Sequence, residues 1–155
     1  MGRVYSLSFK DVAVAAAQDL LGVTTSASVP IAIHSVTLTQ KTLTAWEAKN
    51  VLFRRVPATV TQGSGGTTPT PRPMNANDTA AGGTYHVNDT TAATSSGTIV
   101  DIHSEEWNFL NGLYWLPPPE DRPIIRISEG FMVNLVTAPS GSMTSSGTII
   151  FEELA

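Results

Sequence analysis

The stretch VPIAIHSVTLTQ, residues 29–40, decides the fold class of this chain. Apolar and β-branched residues dominate it, and apolar side chains recur at every second position, which is the pattern of a β-strand. A regular strand would place its side chains alternately on two faces: Ile31, Ile33, Ser35 and Thr37 on one, and Ala32, His34, Val36 and Leu38 on the other. We therefore predict a strand over this stretch.

Two segments before it are also predicted to be extended. RVYSLSF, residues 3–9, alternates clearly, with Tyr5, Leu7 and Phe9 on one side. DVAVAAAQDLLGV, residues 11–23, is compatible with two structures, because its alanines favour a helix while its valines alternate as in a strand. We favour extended structure there, with a second short strand at the closing LLGV.

The rest of the chain is predicted to continue as strands separated by turn residues. A strand around residues 51–60 is interrupted by Pro57, whose nitrogen cannot donate to a ladder. The further predicted strands are residues 84–91, 97–110, 124–139 as one region, and 142–154. About eight strands without a long helix are typical of a sandwich or a barrel. We predict one all-β domain over residues 1–155.

The dipeptide Asn111-Gly112 predicts a hairpin between two of these segments. Asn-Gly between apolar flanks favours a type I′ turn, which needs a positive φ at both central residues. A two-residue loop would produce three facing pairs: Leu110 with Leu113, Phe109 with Tyr114, and Trp107 with Leu116. In this register Trp107, Phe109 and Tyr114 share one face, predicted to lie in the core, and Trp115 would be the exposed ring. The alternative is a sugar-stacking aromatic platform.

The hexapeptide TSSGTI occurs twice, at residues 94–99 and 144–149. Each copy is interpreted as a polar turn that leads into an apolar strand. Turn chemistry before a strand converges on Ser, Gly and Thr, so we favour convergence over an internal duplication. Both copies are predicted to mark strand starts.

The run QGSGGTTPTPRPMNANDTAAGGT, residues 62–84 and called here the 62–84 segment, is the long loop of the predicted domain. It is not a phosphate-binding loop, because that motif requires a lysine and no lysine follows Lys49. Pro69, Pro71 and Pro73 are spaced by two, so the P-x-x-P pattern of polyproline ligands is absent. The prolines stiffen the run, which predicts an extended arm with glycine-containing ends.

Composition excludes several function classes. Nine basic residues and a net charge of −4 argue against nucleic acid, which is bound through Lys and Arg. The chain has no cysteine, which excludes disulfides and thiolate metal sites. The apolar run at residues 12–21 is too short to span a bilayer, and no membrane partner is predicted.

The candidate for a metal site is a group of three residues on one predicted strand. Asp101, His103 and Glu105 alternate along a predicted strand, so their side chains would fall on one face, and a histidine with carboxylates can bind a divalent metal. The alternative is a solvated polar face whose opposite face buries Val100 and Ile102. No catalytic elbow or triad is recognisable, so we predict no enzyme activity and no cofactor.

Four segments together resemble a family of small virion proteins of tailed bacteriophages. They are RVYSLSFKDVAVAAAQDL at residues 3–20, GSGGTTPTPRPMNANDTAAGGT at 63–84, LPPPEDRP at 116–123 and SGTIIFEE at 146–153. The resemblance spans most of the chain as an order of segments and carries no catalytic signature. It implies a β-sandwich of jelly-roll type that decorates or cements the capsid.

The resemblance also implies partners and a location. The expected partners are the major capsid protein and further copies of this chain, as a dimer or trimer, on the capsid exterior after assembly in the bacterial cytoplasm. Together with the arm, it predicts an interface formed by Arg3, Tyr5, Pro69, Pro71, Arg72, Pro73 and Met74. The alternative function is a carbohydrate-binding jelly roll of a head fibre or tail structure.

Overall fold

The computed structural model describes residues 2–154, which form an antiparallel β-sandwich. One short 3-10 helix, Pro119–Asp121, is the only helix among these residues. The strands are β1 (Arg3–Val14), β2 (Gln18–Thr24), β3 (Ile31–Gln40), β4 (Ala48–Val56), β5 (Val60–Thr61), β6 (Arg72–Pro73), β7 (Thr84–Asp89), β8 (Thr94–Ser95), β9 (Val100–Asn108), β10 (Leu113–Trp115), β11 (Ile124–Ile125), β12 (Gly130–Leu135) and β13 (Met143–Glu153).

Two sheets pack face to face. The first has the order β10-β3-β13-β1-β6, with β11 also paired to β3, and the second has the order β7-β2-β12-β4-β9. A two-stranded sheet of β5 and β8 is separate. On one side of the sandwich the second sheet ends at β7, and the first ends at β6, which is paired with β1. On the other side the second sheet ends at β9, and the first ends at β10 and β11, which are both paired with β3. The predicted all-β sandwich is confirmed.

Alternation explains the central strands of the first sheet. Along β13 every second side chain is buried, and β1 buries Tyr5, Leu7 and Phe9 as predicted. The antiparallel register sets Tyr5 opposite Phe151 and Leu7 opposite Ile149. Burial of such side chains contributes about 1.5–3 kcal/mol each, so this pair of strands forms much of the core.

Residues 11–23 lie mostly in two strands that belong to different sheets, which agrees with the extended structure favoured from the sequence. The strand predicted around residues 51–60 is also interrupted, because β4 ends at Val56 and β5 begins at Val60, with Ala58 at a φ of 59° between them. No helix of the described residues is long and apolar enough to cross a membrane.

The faces predicted for β3 are wrong beyond its third residue. Four apolar residues of β3 are all buried: Ile31, Ile33, Val36 and Leu38. Strict alternation would place the two isoleucines on one face of the strand and Val36 and Leu38 on the other. The register against β13 shifts between Ser35 and Ile33, where a bulge adds one residue. A bulge exchanges the faces of a strand, and so brings both apolar pairs to the core.

The predicted Asn-Gly hairpin is wrong. β9 pairs with β4 in one sheet, and β10 pairs with β3 in the other, so the chain crosses between sheets at residues 109–112. Of the two residues Asn111 and Gly112, Gly112 alone has a positive φ, of 71°, and the turn is closed by the Asn111 amide donating to the Asn108 carbonyl at 3.1 Å. A type I′ turn is therefore not formed.

This crossing also changes the predicted roles of the aromatic residues. Trp107 and Phe109 lie in the core as expected, but Tyr114 is exposed and Trp115 is half-buried. The region 124–139 is likewise two strands, because β11 joins the first sheet and β12 the second, with Ser128 at a φ of 60° between them.

Candidate functional site

The first half of the 62–84 segment lies against β7 and does not project outward. Ser64 and Thr91 exchange backbone hydrogen bonds of 3.1 and 3.0 Å, and Thr67 and Val87 exchange bonds of 3.0 and 2.9 Å. A side chain at Gly66 would overlap the Val87 carbonyl. The glycines are thus required for close approach of two backbones.

The second half of the segment lies against β1. Arg72 and Pro73 pair with Ser6 and Tyr5, and the Met74 amide donates to the Val4 carbonyl at 2.8 Å. Because β7 and β1 end different sheets, the segment joins the two sheet edges on one side of the sandwich. Pro73 has no amide hydrogen, which also protects the outermost edge from further pairing.

A buried carboxylate holds the end of the segment. Glu153 accepts from the Gly82 amide at 2.7 Å and from Arg3 at 2.8 Å, and the Tyr5 hydroxyl donates to the Thr79 carbonyl at 2.8 Å. Burial, followed by the negative charge of Glu153, raises the pKa of Tyr5. Burial is also the main reason that the pKa of Tyr85 is raised to about 12.

This placement separates the predicted interface residues into three groups. Tyr5 and Pro71 are buried, so the surface role predicted for them is wrong. Pro69, Pro73 and Arg3 are half-buried, and Arg3 is engaged in its ion pair with Glu153. Arg72 and Met74 are the two exposed residues of the predicted set.

The three metal candidates do not come together as one ligand set. The register of β9 against β4 shifts between His103 and Asp101, and Arg54 binds Asp101 at 2.9 Å. His103 instead contacts Glu105 at 3.1 Å. No cluster of three or more His, Cys, Asp or Glu side chains suited to a metal occurs within residues 2–154. The opposite face does not bury Val100 and Ile102 either, because both are exposed.

A cleft of about 580 Å³ opens on the other side of the sandwich, between the ends of the two sheets. Strand β9 and its neighbour β4 form one wall, through Ile102, His103 and Arg55. The chain from Trp115 to Ile125 forms the other wall, which includes prolines 117, 118 and 123. Prolines restrict the backbone, so this wall is stiff.

Trp115 lines the cleft and packs against other rings, two of which are buried beneath it. Trp115 lies 4.7 Å from Phe53 and 5.5 Å from His103, measured between ring centres. Its ring is nearly parallel to that of Phe131, at an interplanar angle of 14°. These distances are typical of favourable aromatic packing, which fixes the half-buried indole as a firm surface.

Polar groups at the cleft are few. Arg55 follows the buried Phe53 at inward spacing along β4, and its buried Nε has no hydrogen-bond acceptor among the described residues. Asp121, on the 3-10 helix, is exposed at the opposite wall. This combination of apolar walls and one cation is suited to binding, and it includes no nucleophile activated by a base.

The sequence reasoning missed this cleft, although two signals were present. Arg55 stands two residues after Phe53, at a position that strand alternation places towards the core, where an unpaired cation is costly. The proline-rich stretch after Trp115 predicts a rigid connection. Neither signal indicates that the two would face each other, because they belong to different sheets.

Comparison with known proteins identifies no relative: no family model, characterised protein or solved structure matches the chain. The resemblance to virion proteins of tailed bacteriophages therefore stays a prediction, based on the segments quoted above. Function has to be argued from the fold and the exposed surface.

Proposed function

We propose that this chain is a non-enzymatic structural protein that decorates or cements the capsid of a tailed bacteriophage, bound to the major capsid protein and to neighbouring copies of itself. Its location would be the capsid exterior. The proposal combines the segment resemblance with a physical argument about the molecule's surface.

The observation that carries the proposal is a set of exposed apolar side chains on the open side of the sandwich, called here the apolar strip. It consists of large apolar side chains on three edge strands and the residue after β10: Val100, Ile102, Tyr114, Leu116 and Ile124. Large apolar patches on a protein surface mark interaction sites. Strands β9 and β10 also end their sheets, so their outer edges are available for pairing with a neighbouring chain.

The opposite side is less suited to attachment. There the 62–84 segment closes the two sheet edges with its own hydrogen bonds, and among the residues predicted for the interface only Arg72 and Met74 are exposed. We therefore assign attachment to the open side, in place of the arm that the sequence suggested.

The connectivity of the strands also supports the proposal of a capsid protein. Leaving out the short or added strands, the chain order β1, β2, β3, β4, β9, β10, β12, β13 gives sheets β1-β13-β3-β10 and β2-β12-β4-β9. We infer that this is the connectivity of a jelly roll, a double-sheet fold used in viral capsid and lectin domains. This support is an analogy of fold and carries no site residues with it.

Co-sedimentation with capsids tests the proposal. Purified protein should pellet with particles assembled from the major capsid protein of the same phage. Tyr114→Asp should abolish pelleting by placing a charge in the apolar strip, whereas Met74→Asp, a control of similar exposure (63 % against 65 %) on the closed side, should pellet normally. Failure of the unaltered protein to pellet contradicts the function, and loss with Met74→Asp alone contradicts the assigned surface.

A carbohydrate-binding module is the second candidate, favoured by two exposed aromatic rings. Trp46 is 72 % exposed and Tyr114 is 65 % exposed, and exposed rings can stack on sugars. The rings considered from the sequence, Trp107 and Trp115, are buried and half-buried. Glycans of the host surface should shift the fluorescence of the unaltered protein but not of Trp46→Ala if this function holds.

A further inference from the structure

We propose that the cleft between the sheet ends binds a small organic carboxylate carried on an apolar or aromatic body. Its volume of about 580 Å³ lies within the range of sites for small molecules, about 300–1,000 Å³. This inference goes beyond capsid attachment and is tested on the free protein, because three residues of the cleft, Ile102, Leu116 and Ile124, also belong to the strip assigned to attachment.

The cation at the cleft lacks a partner within the protein. Among residues 2–154, no carboxylate lies within 4.0 Å of the Arg55 guanidinium, while Arg54 beside it is paired with Asp101. The Nε of Arg55 is buried without an acceptor. A partly desolvated guanidinium gains most from a charged acceptor, so a carboxylate entering the cleft would find an unsatisfied partner.

The other walls suit an apolar body. The indole of Trp115 is held against Phe53, and Leu116 and Ile124 are exposed at the rim. A ligand ring or alkyl chain lying on them would bury surface that the free protein leaves in water, which stabilises binding by about 25 cal/mol per Å². The carboxylate fixes the orientation of the ligand, and the apolar part of the ligand supplies most of the affinity.

Two other titratable groups line the site. Asp121 faces the cleft from the 3-10 helix and would repel an anion, but it is exposed and therefore screened by water and salt. His103 lines the cleft beside Arg55 and is hydrogen-bonded to Glu105. Among the residues that line the cleft, Arg55 carries the unpaired and partly buried charge, which favours an anion over a cation.

The test uses 3-phenylpropionate as the probe and 3-phenylpropionamide, its neutral analogue, as the control ligand. Binding to the unaltered protein is followed by the NMR shift of the Trp115 indole N–H. We expect saturable millimolar binding of the acid, at least about tenfold tighter than that of the amide, since a hydrogen bond to a charged group contributes about 1.5–3 kcal/mol. Equal affinity of the two ligands, or no saturable shift, overturns the proposal.

Three variants locate the interaction. Arg55→Gln should weaken binding of the acid about tenfold or more and leave binding of the amide unchanged, whereas Arg72→Gln, on the opposite side of the sandwich, should change neither. Asp121→Asn should strengthen binding of the acid only slightly, because the opposing charge that it removes is already screened. If Arg55→Gln does not fold, the comparison of acid and amide on the unaltered protein still decides the proposal; equal loss in Arg72→Gln contradicts it.

Discussion

The two copies of TSSGTI have different structures and different surroundings in the same molecule. Residues 94–99 form the short strand β8 and the turn that precedes β9, at the outer surface of the second sheet. Residues 144–149 lie within β13, between β1 and β3 in the middle of the first sheet. The second copy is strand throughout, so the prediction of a polar turn there is wrong.

The contrast shows which forces act on an identical sequence. Ser95 bonds the Pro57 carbonyl and the Gly97 amide, which closes a local turn. Ser145 instead donates to the Thr39 carbonyl on the neighbouring strand at 2.9 Å. Serine and glycine suit both uses, and the partner available across the sheet decides between them.

The two isoleucines should show the largest difference between the copies. Ile149 is fully buried in the main core, whereas Ile99 is half-buried against the small cluster under β5 and β8. We expect Ile149→Ala to lower the free energy of unfolding by about 2–5 kcal/mol and Ile99→Ala by about 1 kcal/mol. Urea denaturation measures both, and equal losses would mean that the small cluster is as essential as the core.

The glycines of the two copies, Gly147 and Gly97, should show the second largest difference in their effect on stability. A Cβ at Gly147 would lie 2.6 Å from Cε1 of Phe9 and 2.9 Å from Cδ2 of Leu38, whereas at Gly97 the nearest atom is 3.4 Å away. Overpacking predicts that Gly147→Ala costs about 1–3 kcal/mol, while Gly97→Ala is neutral or stabilises by up to about 1 kcal/mol. Thermal unfolding of the two variants checks this, and a neutral Gly147→Ala would refute the packing argument.

The serines of the two copies, Ser145 and Ser95, should show the smallest difference in their effect on stability. Ser145→Ala removes one hydroxyl hydrogen bond and Ser95→Ala removes two, each of which contributes about 0.5–1.5 kcal/mol. Because Ser145 is fully buried and Ser95 is partly exposed, we expect total losses within this range of each other, measured by the same urea titrations. A difference well above this range would show that hydrogen bonding, and not packing alone, distinguishes the copies.

The first copy is also connected to a titratable group. The Ala93 amide, next to residue 94, donates to Asp19 at 2.7 Å, as does the Asn134 amide group. Burial raises the pKa of Asp19, against the lowering effect of these bonds. Its folded pKa lies above its unfolded value, so folding favours the protonated form and stability falls as pH rises from the ordinary aspartate pKa through the raised one.

Asp19→Asn isolates this effect. Melting temperatures measured between about pH 3 and pH 7, where carboxyl groups titrate, should show that the fall in stability attributed to Asp19 is absent in the variant. Other carboxylates contribute to both profiles, so the informative quantity is the difference between the two curves. A difference that grows in favour of the unaltered protein with rising pH would reverse the sign and contradict the burial argument.

The fold class and several strands could be predicted because alternation is a local property. Tyr5, Leu7 and Phe9 are buried on one face of β1 as their spacing requires. The candidate cleft could not be predicted in the same way. Arg55 and Trp115 are far apart in the chain and come together because β4 and β10 belong to different sheets.

The errors have a common physical origin. Asn111-Gly112 is suited to a hairpin, yet β9 pairs with β4 and β10 with β3, since each strand gains more by extending an existing sheet over the core than by pairing with its neighbour in sequence. The bulge at Ser35 likewise depends on β13. Close backbone contact explains the glycines of the 62–84 segment, and the sequence does not indicate the strand that they approach.

By itself, the sequence determined the all-β class, the positions of the longer strands and the exclusion of a phosphate loop, because each follows from residue type and local spacing. Tertiary structure decided which strands pair, that the 62–84 segment joins β7 to β1, and that the opposite side stays open with Arg55 in its cleft. The reason is that backbone hydrogen bonds between distant strands carry no side-chain signature, so their partners are selected only when both sheets close over one core.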